Sequence, residues 1–561
     1  MRLPPLLPLL TVLALLGPVL AGLWGTGAAA LGHIPAAGLH GPSLAPFQTL
    51  LAWPGLTASV KLSLVTGILA TGLSLLIVTL LIAGWSGTRP FRLMLRVLSP
   101  LLSVPHAAAA FGLVFLIQPS GWIARALSPW ATGWERPPDI LLVQDPMGLA
   151  LTVALVVKEV PFLLLIALAA LSEIDVKGRT RVASSLGYGR VAGWAFTVFP
   201  ALYPRIHLPV YAVLAYSMSV VDMAMILGPS TPSTLSVQIV RWMSQPDISL
   251  RAVASAAALV QLALVVGALL LWRLSEIVIA RIARQLMSQG TRWRDDRGLR
   301  VLTLVASSIS VVGVLLGVLG LALWSLAARW SFPDALPDAL TLRSWMRHGA
   351  AASETLTTTF LIAGITTAVG LFLTLGCLET ETRRNIRLTQ KGLWLLYLPL
   401  IVPQTAFLPG MQALLLTWRA DRSLWAVVFA HLVFVLPYLR LSLEGPYKAW
   451  DTRTATVASA LGASPNRIFL RLRLPMLLAP LLTAAAVGMA VSIGQYLPTL
   501  LVGGGRIQTL TTEAVALAAG GDRRAIGVYA LLQTAAAMLP FTLAIGIPAL
   551  VWRNRKGMQH D

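Results

Sequence analysis

The stretch ATVASALGASPNRIFLRLRLP, Ala455 to Pro475, is a polar and basic interval between long apolar segments, and this chain contains a second version of it. RVASSLGYGRVAGWAFTVFP, Arg181 to Pro200, aligns without a gap on TVASALGASPNRIFLRLRLP, Thr456 to Pro475, at an offset of 275 residues. The two copies share V-A-S-x-L-G and the closing proline. The match continues downstream, where Gly228 and Thr234-Leu235 of ILGPSTPSTL fall on Gly503 and Thr509-Leu510 of LVGGGRIQTL. Upstream, Pro161 pairs with Pro437, one residue out of step. A repeat that persists over this length is a statement about the whole architecture, not about one motif.

The segments between these intervals belong in a membrane. The 561 residues are 57% hydrophobic and 12% charged, with a mean hydropathy of +0.77, against about 25% charged for a soluble domain. A helix needs roughly 20 mainly apolar residues to cross a bilayer core. Such stretches fall near residues 4–31, 57–84, 97–118, 141–171, 206–228, 251–273, 301–328, 355–379, 391–417, 424–440, 475–502 and 525–552. Continuous apolar character, without alternation, predicts helices and excludes a barrel. The expected fold is therefore all-α and polytopic, with about twelve transmembrane helices.

The net charge of +21 would suggest a nucleic-acid partner in a soluble protein. In a membrane protein, excess Lys and Arg mark cytoplasmic loops. With twelve spans and both termini inside, about 29 Lys and Arg fall on the cytoplasmic side, about 11 outside and about 3 in or near spans. The basic loops are Arg89 to Arg96, Lys177 to Arg205, Arg273 to Arg300, Arg383 to Lys391, Arg440 to Arg473 and Arg553 to Lys556. Both copies of the repeated interval lie on the same side, so the halves are parallel repeats. The resulting expectation is one six-helix unit at 1–275, a cytoplasmic linker at 276–300 and a second six-helix unit at 301–561. The N-terminal MRLPPLLPLLTVLALLGPVLAGLWG reads as a retained first helix, with a cleaved secretory signal as the alternative.

Within the two intervals, at about 173–205 and 441–474, the residue types describe a short helix, a turn and a second short helix at the membrane surface. Small residues permit close helix approach, Gly187 and Gly462 supply a turn or left-handed cap, and Pro200 and Pro475 restrict entry to the next span. Here the chain resembles the permeases of binding-protein-dependent ABC importers, whose signature is E-A-A-x3-G-x9-I-x-L-P. On that pattern Gly187 and Gly462 are the signature glycines, Pro200 and Pro475 the closing prolines, and Ala183 and Ala458 the second alanines. The glutamate position holds Arg181 and Thr456, and the isoleucine position holds Thr197 and Leu472. The full layout is similar to the fused, twelve-helix ferric-iron and thiamine permeases.

That resemblance implies that the intervals are coupling elements. Two copies of an ATPase subunit would dock on them, and a periplasmic substrate-binding protein would deliver the solute. The missing glutamates put in doubt an acidic contact at the docking site, and leave the docking element itself intact. The chain has no G-x4-G-K-[ST] phosphate loop and no Gly-Lys dipeptide, which agrees with an ATPase on a separate polypeptide. The competing reading is an ion-coupled secondary transporter, which also uses a twofold helical repeat.

Ionisable groups inside spans are costly and mark a solute path or a helix partner. The candidates are Lys158 and Glu159 in ALVVKEVPFLL, Asp222 in SMSVVDMAMILG, and the polar Gln495 and Tyr496 in SIGQYLPTLL. Asp222, Gln495 and Tyr496 suit a cationic or polar solute, with interhelical hydrogen bonding as the alternative, and Lys158 and Glu159 read either as path-lining or as holding helices together. Lys61 reads as a snorkelling residue. GPSTPSTLS and VGGGRIQTLTTE read as outward turns, re-entrant loops or short gate helices. Trp24, Trp53, Trp130 and Trp134 fit an interfacial aromatic belt. Cys377 reads as a packing residue. No His, Cys, Asp and Glu grouping has metal-ligand spacing, so neither metal nor cofactor is expected, and no nucleophile–base pattern suggests an enzyme.

Overall fold

A computed structural model describes residues 6–34, 38–101, 103–385, 390–420 and 423–552. Arg2, part of the Arg383 to Lys391 loop and the Arg553 to Lys556 run lie outside them. Among the described residues nine helices are long and apolar enough to cross a membrane, and up to twelve if each of three bent pairs counts as one span. The described residues are all-α apart from a two-residue hairpin, His33–Ile34 against Leu39–His40, and one isolated bridge.

The helices are arranged with polar residues inward. Leu56–Trp85 buries Ser59, Ser63, Thr66, Thr71 and Ser74 while exposing Leu69, Leu73 and Leu76. Arg343–Arg384 likewise buries Thr355, Thr359, Thr366, Thr367 and Thr374 and exposes Leu361, Val369 and Phe372. Lipid is as apolar as leucine, so helices gain little by hiding Leu from it; small hydroxyl residues instead let backbones approach and bond across the interface.

The first helix of each half packs on the other half. Leu6–Ala30 lies against Gln404–Thr417, and Arg297–Leu326 lies against His106–Ile117. The contacts are backbone to backbone. A Cβ on Gly410 would stand 1.9 Å from the Gly22 carbonyl oxygen, and one on Gly112 would stand 2.8 Å from the Gly317 carbonyl carbon. Gly112 and Gly410 are equivalent, each seven residues after a helix-starting proline, Pro105 or Pro403. The Gly410 N–H also donates to Thr26 Oγ1 at 3.0 Å.

Four expected spans are interrupted. The stretch near 391–417 is not one straight helix: Trp394–Ile401 meets Gln404–Thr417 at 87°. Its counterpart near 97–118 is divided between Arg89–Leu101 and His106–Ile117. In each case Pro105 or Pro403 starts the second helix, where a missing N–H costs nothing. The stretches near 206–228 and 475–502 stop at Val220 and Gly494, and short helices Asp222–Leu227 and Leu497–Gly503 follow.

Broken helices release backbone groups that lipid cannot satisfy. Ser236 Oγ donates to the Val220 carbonyl at 3.0 Å and Gln261 Nε2 to the Met218 carbonyl at 2.9 Å. In the second half Thr511 Oγ1 donates to the Ile493 carbonyl and itself accepts from Gln533 Nε2. GPSTPSTLS and VGGGRIQTLTTE thus lead into buried helices, Leu235–Met243 and Leu510–Ala518, not outward surface turns. Their first N–H groups donate to equivalent side chains, Leu235 N to Ser63 Oγ at 3.1 Å and Leu510 N to Thr359 Oγ1 at 3.0 Å.

The expected linker at 276–300 is largely helical. Ser249–Ser288 runs through its first part and Arg297–Leu326 begins within it, leaving only the segment 289–296 between them. At about 1.5 Å per residue, the 40 residues of Ser249–Ser288 exceed the thickness of a bilayer core and extend beyond it.

Candidate functional site: two repeated surface elements and a polar centre

The repeated intervals fold as helix, turn and helix, and a hydrogen-bond pattern accounts for their shared letters. Val176–Ser185 is capped by Asp175, whose Oδ1 accepts from Gly178 N at 2.9 Å, and Thr452–Ala460 by Asp451, whose Oδ1 accepts from Arg453 N at 2.9 Å. Each helix ends at a left-handed glycine, Gly187 at φ +79° and Gly462 at φ +80°. Gly187 N donates to Ser184 O at 3.0 Å and Tyr188 N to Ala183 O at 3.2 Å; Gly462 N donates to Ser459 O at 3.0 Å and Ala463 N to Ala458 O at 2.9 Å. This double bond across a left-handed residue is the Schellman termination. It explains why both copies keep A-S-x-L-G, since only glycine takes that conformation without strain.

The same geometry presents a matched apolar pair. Val182 and Leu186 are each 58% exposed, and their equivalents Val457 and Leu461 are 61% and 83% exposed. Arg181 and Thr456 are also exposed, whereas Ala183 is buried beneath Gly193 and Ala458 is half-buried. Pro200 sits in the first turn of Phe199–Ser219, just after a bend of 67°, and Pro475 sits in Leu474–Met476, just before a bend of 75° into Leu478–Ile493.

Beneath this likeness the two elements are anchored differently. The first is clasped by the segment joining the halves. Gly189 N donates to Arg292 O at 3.1 Å, Val191 N to Asp296 Oδ2 at 2.7 Å, and Arg292 Nη1 to Tyr188 Oη at 2.7 Å. Trp293 stacks on Phe196 with centroids 5.9 Å apart. Arg190 reaches the Ala83 and Ser86 carbonyls at the end of Leu56–Trp85.

The second element is held by charge. Arg473, 6% exposed, donates from Nη1 to Glu379 Oε2 at 2.8 Å and to Tyr447 Oη at 3.0 Å, and lies over the Trp450 ring at 4.3 Å. Arg383 joins Glu379 to Asn466 of the loop. Arg440 donates to Glu381 Oε2 at 2.7 Å alongside. Arg473 ends a π-helical turn, Phe469–Arg473, which inserts one residue into the helical register and turns the guanidinium onto Glu379.

The candidate path residues gather between the halves. Glu159, 5% exposed, lies beside His106, Oε1 to Nε2 at 3.9 Å. His106 in turn lies 5.0 Å from the Tyr216 ring. Tyr216 is within electrostatic reach of Asp222, Glu159 and Tyr438, and Tyr438 of Glu159 and Tyr397. Asp222, 7% exposed, is likewise within reach of His106 and Tyr496. Tyr496 Oη crosses the boundary to Met225 Sδ at 3.5 Å.

Lys158 is placed otherwise: its Nζ donates to the Val104 carbonyl at 2.6 Å, filling the backbone gap before His106. Gln495 is half-buried at the helix break, and its carbonyl accepts from Thr499 Oγ1 at 3.2 Å. The sequence reading missed His106, Tyr216, Tyr397 and Tyr438. Tyrosines and a histidine inside apolar runs are the available signal, but they carry no formal charge to mark them. It also missed His431, 1% exposed, whose ring nitrogens bond Ser492 Oγ and Thr499 Oγ1, both at 2.8 Å. Trp24 and Trp130 are mostly exposed, as a belt requires, while Trp53 packs edge-on against Trp242. Lys61 is exposed. Among the described residues no group of three or more His, Cys, Asp or Glu is placed to hold a metal ion.

Comparison with known proteins gives concordant results. Residues 367–551 match the family model described as binding-protein-dependent transport system inner membrane component. The inner membrane ABC transporter permease protein YnjC of Escherichia coli (strain K12) is 33% identical over 522 residues, covering 92% of this chain and 93% of the relative. The molybdenum transport system permease protein ModB of Mycobacterium tuberculosis is 32% identical over 117 residues, covering 20% of this chain and 44% of that protein. The spermidine/putrescine transport system permease protein PotC of Haemophilus influenzae is 21% identical over 204 residues, covering 36% of this chain and 76% of that protein. No solved structure matches.

Proposed function

The chain belongs to the inner-membrane ABC transporter permeases, and on that premise we propose that it is the complete membrane pathway of an importer, two six-helix units fused in tandem. Both termini and both repeated elements face the cytoplasm. Two copies of a separate ATPase subunit dock on Val176–Ser185 and Thr452–Ala460, and a periplasmic binding protein delivers the solute to the opposite face. Closure of the ATPases on ATP pushes the two elements together, and the halves rock between inward-open and outward-open states.

The observation that carries this reading is the matched pair of surface helices, each with a Schellman glycine and each presenting a valine and a leucine to solvent. Apolar side chains exposed at symmetric positions on a basic surface are what a twofold partner requires. The different anchors serve the same purpose. Arg190 ties the first element to Leu56–Trp85, and Arg473 ties the second to Arg343–Arg384, so a push on either loop reaches a membrane helix.

The deciding experiment is solute uptake by the reconstituted chain with and without its ATPase subunit. Uptake that requires the ATPase and ATP supports the proposal. Uptake driven by an ion gradient without it would instead establish a secondary transporter. The family leaves the cargo open, because the relatives named above are permeases for a molybdenum compound and for polyamines, which differ in charge sign.

A further inference from the structure

The polar centre between the halves differs in kind from the rest of the interior. Elsewhere the buried polar groups are mainly small hydroxyls, some bonded back to their own helix, as Thr66, Thr71 and Ser219 are, and others, such as Ser74, Ser217 and Thr366, without a partner among the described residues. In the polar centre the buried groups are instead carboxylates and phenols. Among the described residues, the Glu159 carboxylate has only His106 at 3.9 Å, and Tyr496 Oη has only the Met225 sulfur at 3.5 Å. Glu159, Asp222, Tyr397 and Tyr496 are all more than nine-tenths buried.

The composition is also asymmetric. The carboxylates come from the first half, on Leu149–Leu171 and Asp222–Leu227, and the positions of Glu159 and Asp222 fall on Val435 and Leu497 in the second half. The second half contributes phenols instead, Tyr397, Tyr438 and Tyr496. Lys158 offsets one carboxylate from its seat on Val104, and His106, 3.9 Å from Glu159, offsets the second only when it is protonated. An anion brought between the halves would meet two carboxylates in a weakly screening medium. A metal ion would find too few donors, since no suitable group of ligands occurs among the described residues.

We propose, on the reading that the solute passes between the halves, that this centre is built for a small organic ammonium cation. Glu159 and Asp222 supply the counter-charge. The rings of Tyr216, Tyr438 and Tyr496 supply faces that attract a desolvated ammonium, and their hydroxyls accept its N–H groups if it has them. Such a site is weak by design, because a solute bound tightly at the midpoint would not leave.

The test uses the full-length chain in lipid nanodiscs, with choline as probe and saturation-transfer NMR on its methyl protons as readout. The wild type is expected to give a saturable signal that spermidine displaces and molybdate does not. The Glu159→Gln, Asp222→Asn double variant is expected to bind choline about tenfold more weakly or worse, the scale of a lost charged hydrogen bond. Tyr438→Leu should weaken binding and Tyr438→Phe should keep it; if the double variant fails to fold, this pair decides. Unchanged choline binding in the variants, or displacement by molybdate, overturns the proposal. ATP hydrolysis by the added ATPase subunit, measured on the same nanodiscs, separates the two readings: stimulation without choline binding removes the cation site and keeps the importer, whereas loss of stimulation alone removes the importer.

Discussion

Arg473 of the second repeated element is joined through its Nη1 to Glu379 Oε2, 94 residues earlier in the chain and 2.8 Å away. Glu379 lies on Arg343–Arg384, the helix that carries the buried threonine stripe through the protein. Both side chains are mostly buried, 8% and 13% exposed. The pair is a mechanical link between a surface loop and the membrane interior. Removing Arg473 leaves the Glu379 carboxylate with Arg383 as its remaining ion partner, at a cost of up to about 3–5 kcal/mol. Arg473→Met should therefore lower the thermal unfolding midpoint sharply, and Arg473→Met with Glu379→Leu should restore most of it. Uptake should remain impaired in the double variant, because apolar packing replaces the stability and not the rigid link. Melting curves in detergent beside uptake assays separate these effects.

Gly462 has open space around its α-carbon, so a substitution there acts through backbone strain alone. At φ +80° a side chain costs about 1–2 kcal/mol, and more for a β-branched one. Gly462→Val should leave the protein inserted while ATP hydrolysis runs uncoupled from transport. Gly462→Asn, which tolerates the left-handed region, should keep most of the coupling. Comparing nucleotide turnover with solute uptake distinguishes the two.

The exposed pair on each element predicts a surface effect with no folding effect. Leu461→Asp and Leu186→Asp remove no buried contact, so melting should move by less than about 0.5 kcal/mol in either. Co-purification of the ATPase should fall in each, and more in the double variant. Unchanged co-purification of the double variant would sink the docking assignment.

Gly410 and Gly112 hold each half's first helix on the other half. A Cβ at Gly410 meets the Gly22 carbonyl at 1.9 Å and Thr26 N at 2.4 Å, both backbone atoms that cannot step aside. Gly410→Val should cost at least about 1–3 kcal/mol, the usual scale for overpacking, and free Leu6–Ala30 from its seat. Protease sensitivity near the N-terminus reports the release. Gly112→Val should act likewise through Gly317, whereas Gly364→Val, with nothing within 4 Å, should be nearly silent.

Much of this protein could be read in its letters because the determinants are local. Apolar runs locate membrane helices through the bilayer's thickness, and basic residues sort the loops. A glycine that closes a helix by its own φ angle can be recognised in V-A-S-x-L-G, since the motif and its hydrogen bonds lie within seven residues. Hence the repeated elements, their equivalence and the family resemblance followed from one alignment of the chain on itself.

Tertiary structure decided what depends on residues far apart. Span continuity near 206–228 and 475–502 was misread because hydropathy counts side chains, while Ser236, Gln261, Thr511 and Gln533 permit the backbone to open. The exchange of first helices rests on Gly22 meeting Gly410, a proximity that no periodicity encodes. The polar centre joins His106, Glu159 and Asp222 to three tyrosines from the other half, residues that are unremarkable singly and acquire a common task only when folding brings them together. The sequence alone fixes which segments enter the bilayer, because that choice is made residue by residue against a uniform solvent. Which buried groups meet there is decided by packing, because it depends on how helices distant in the chain fit against each other.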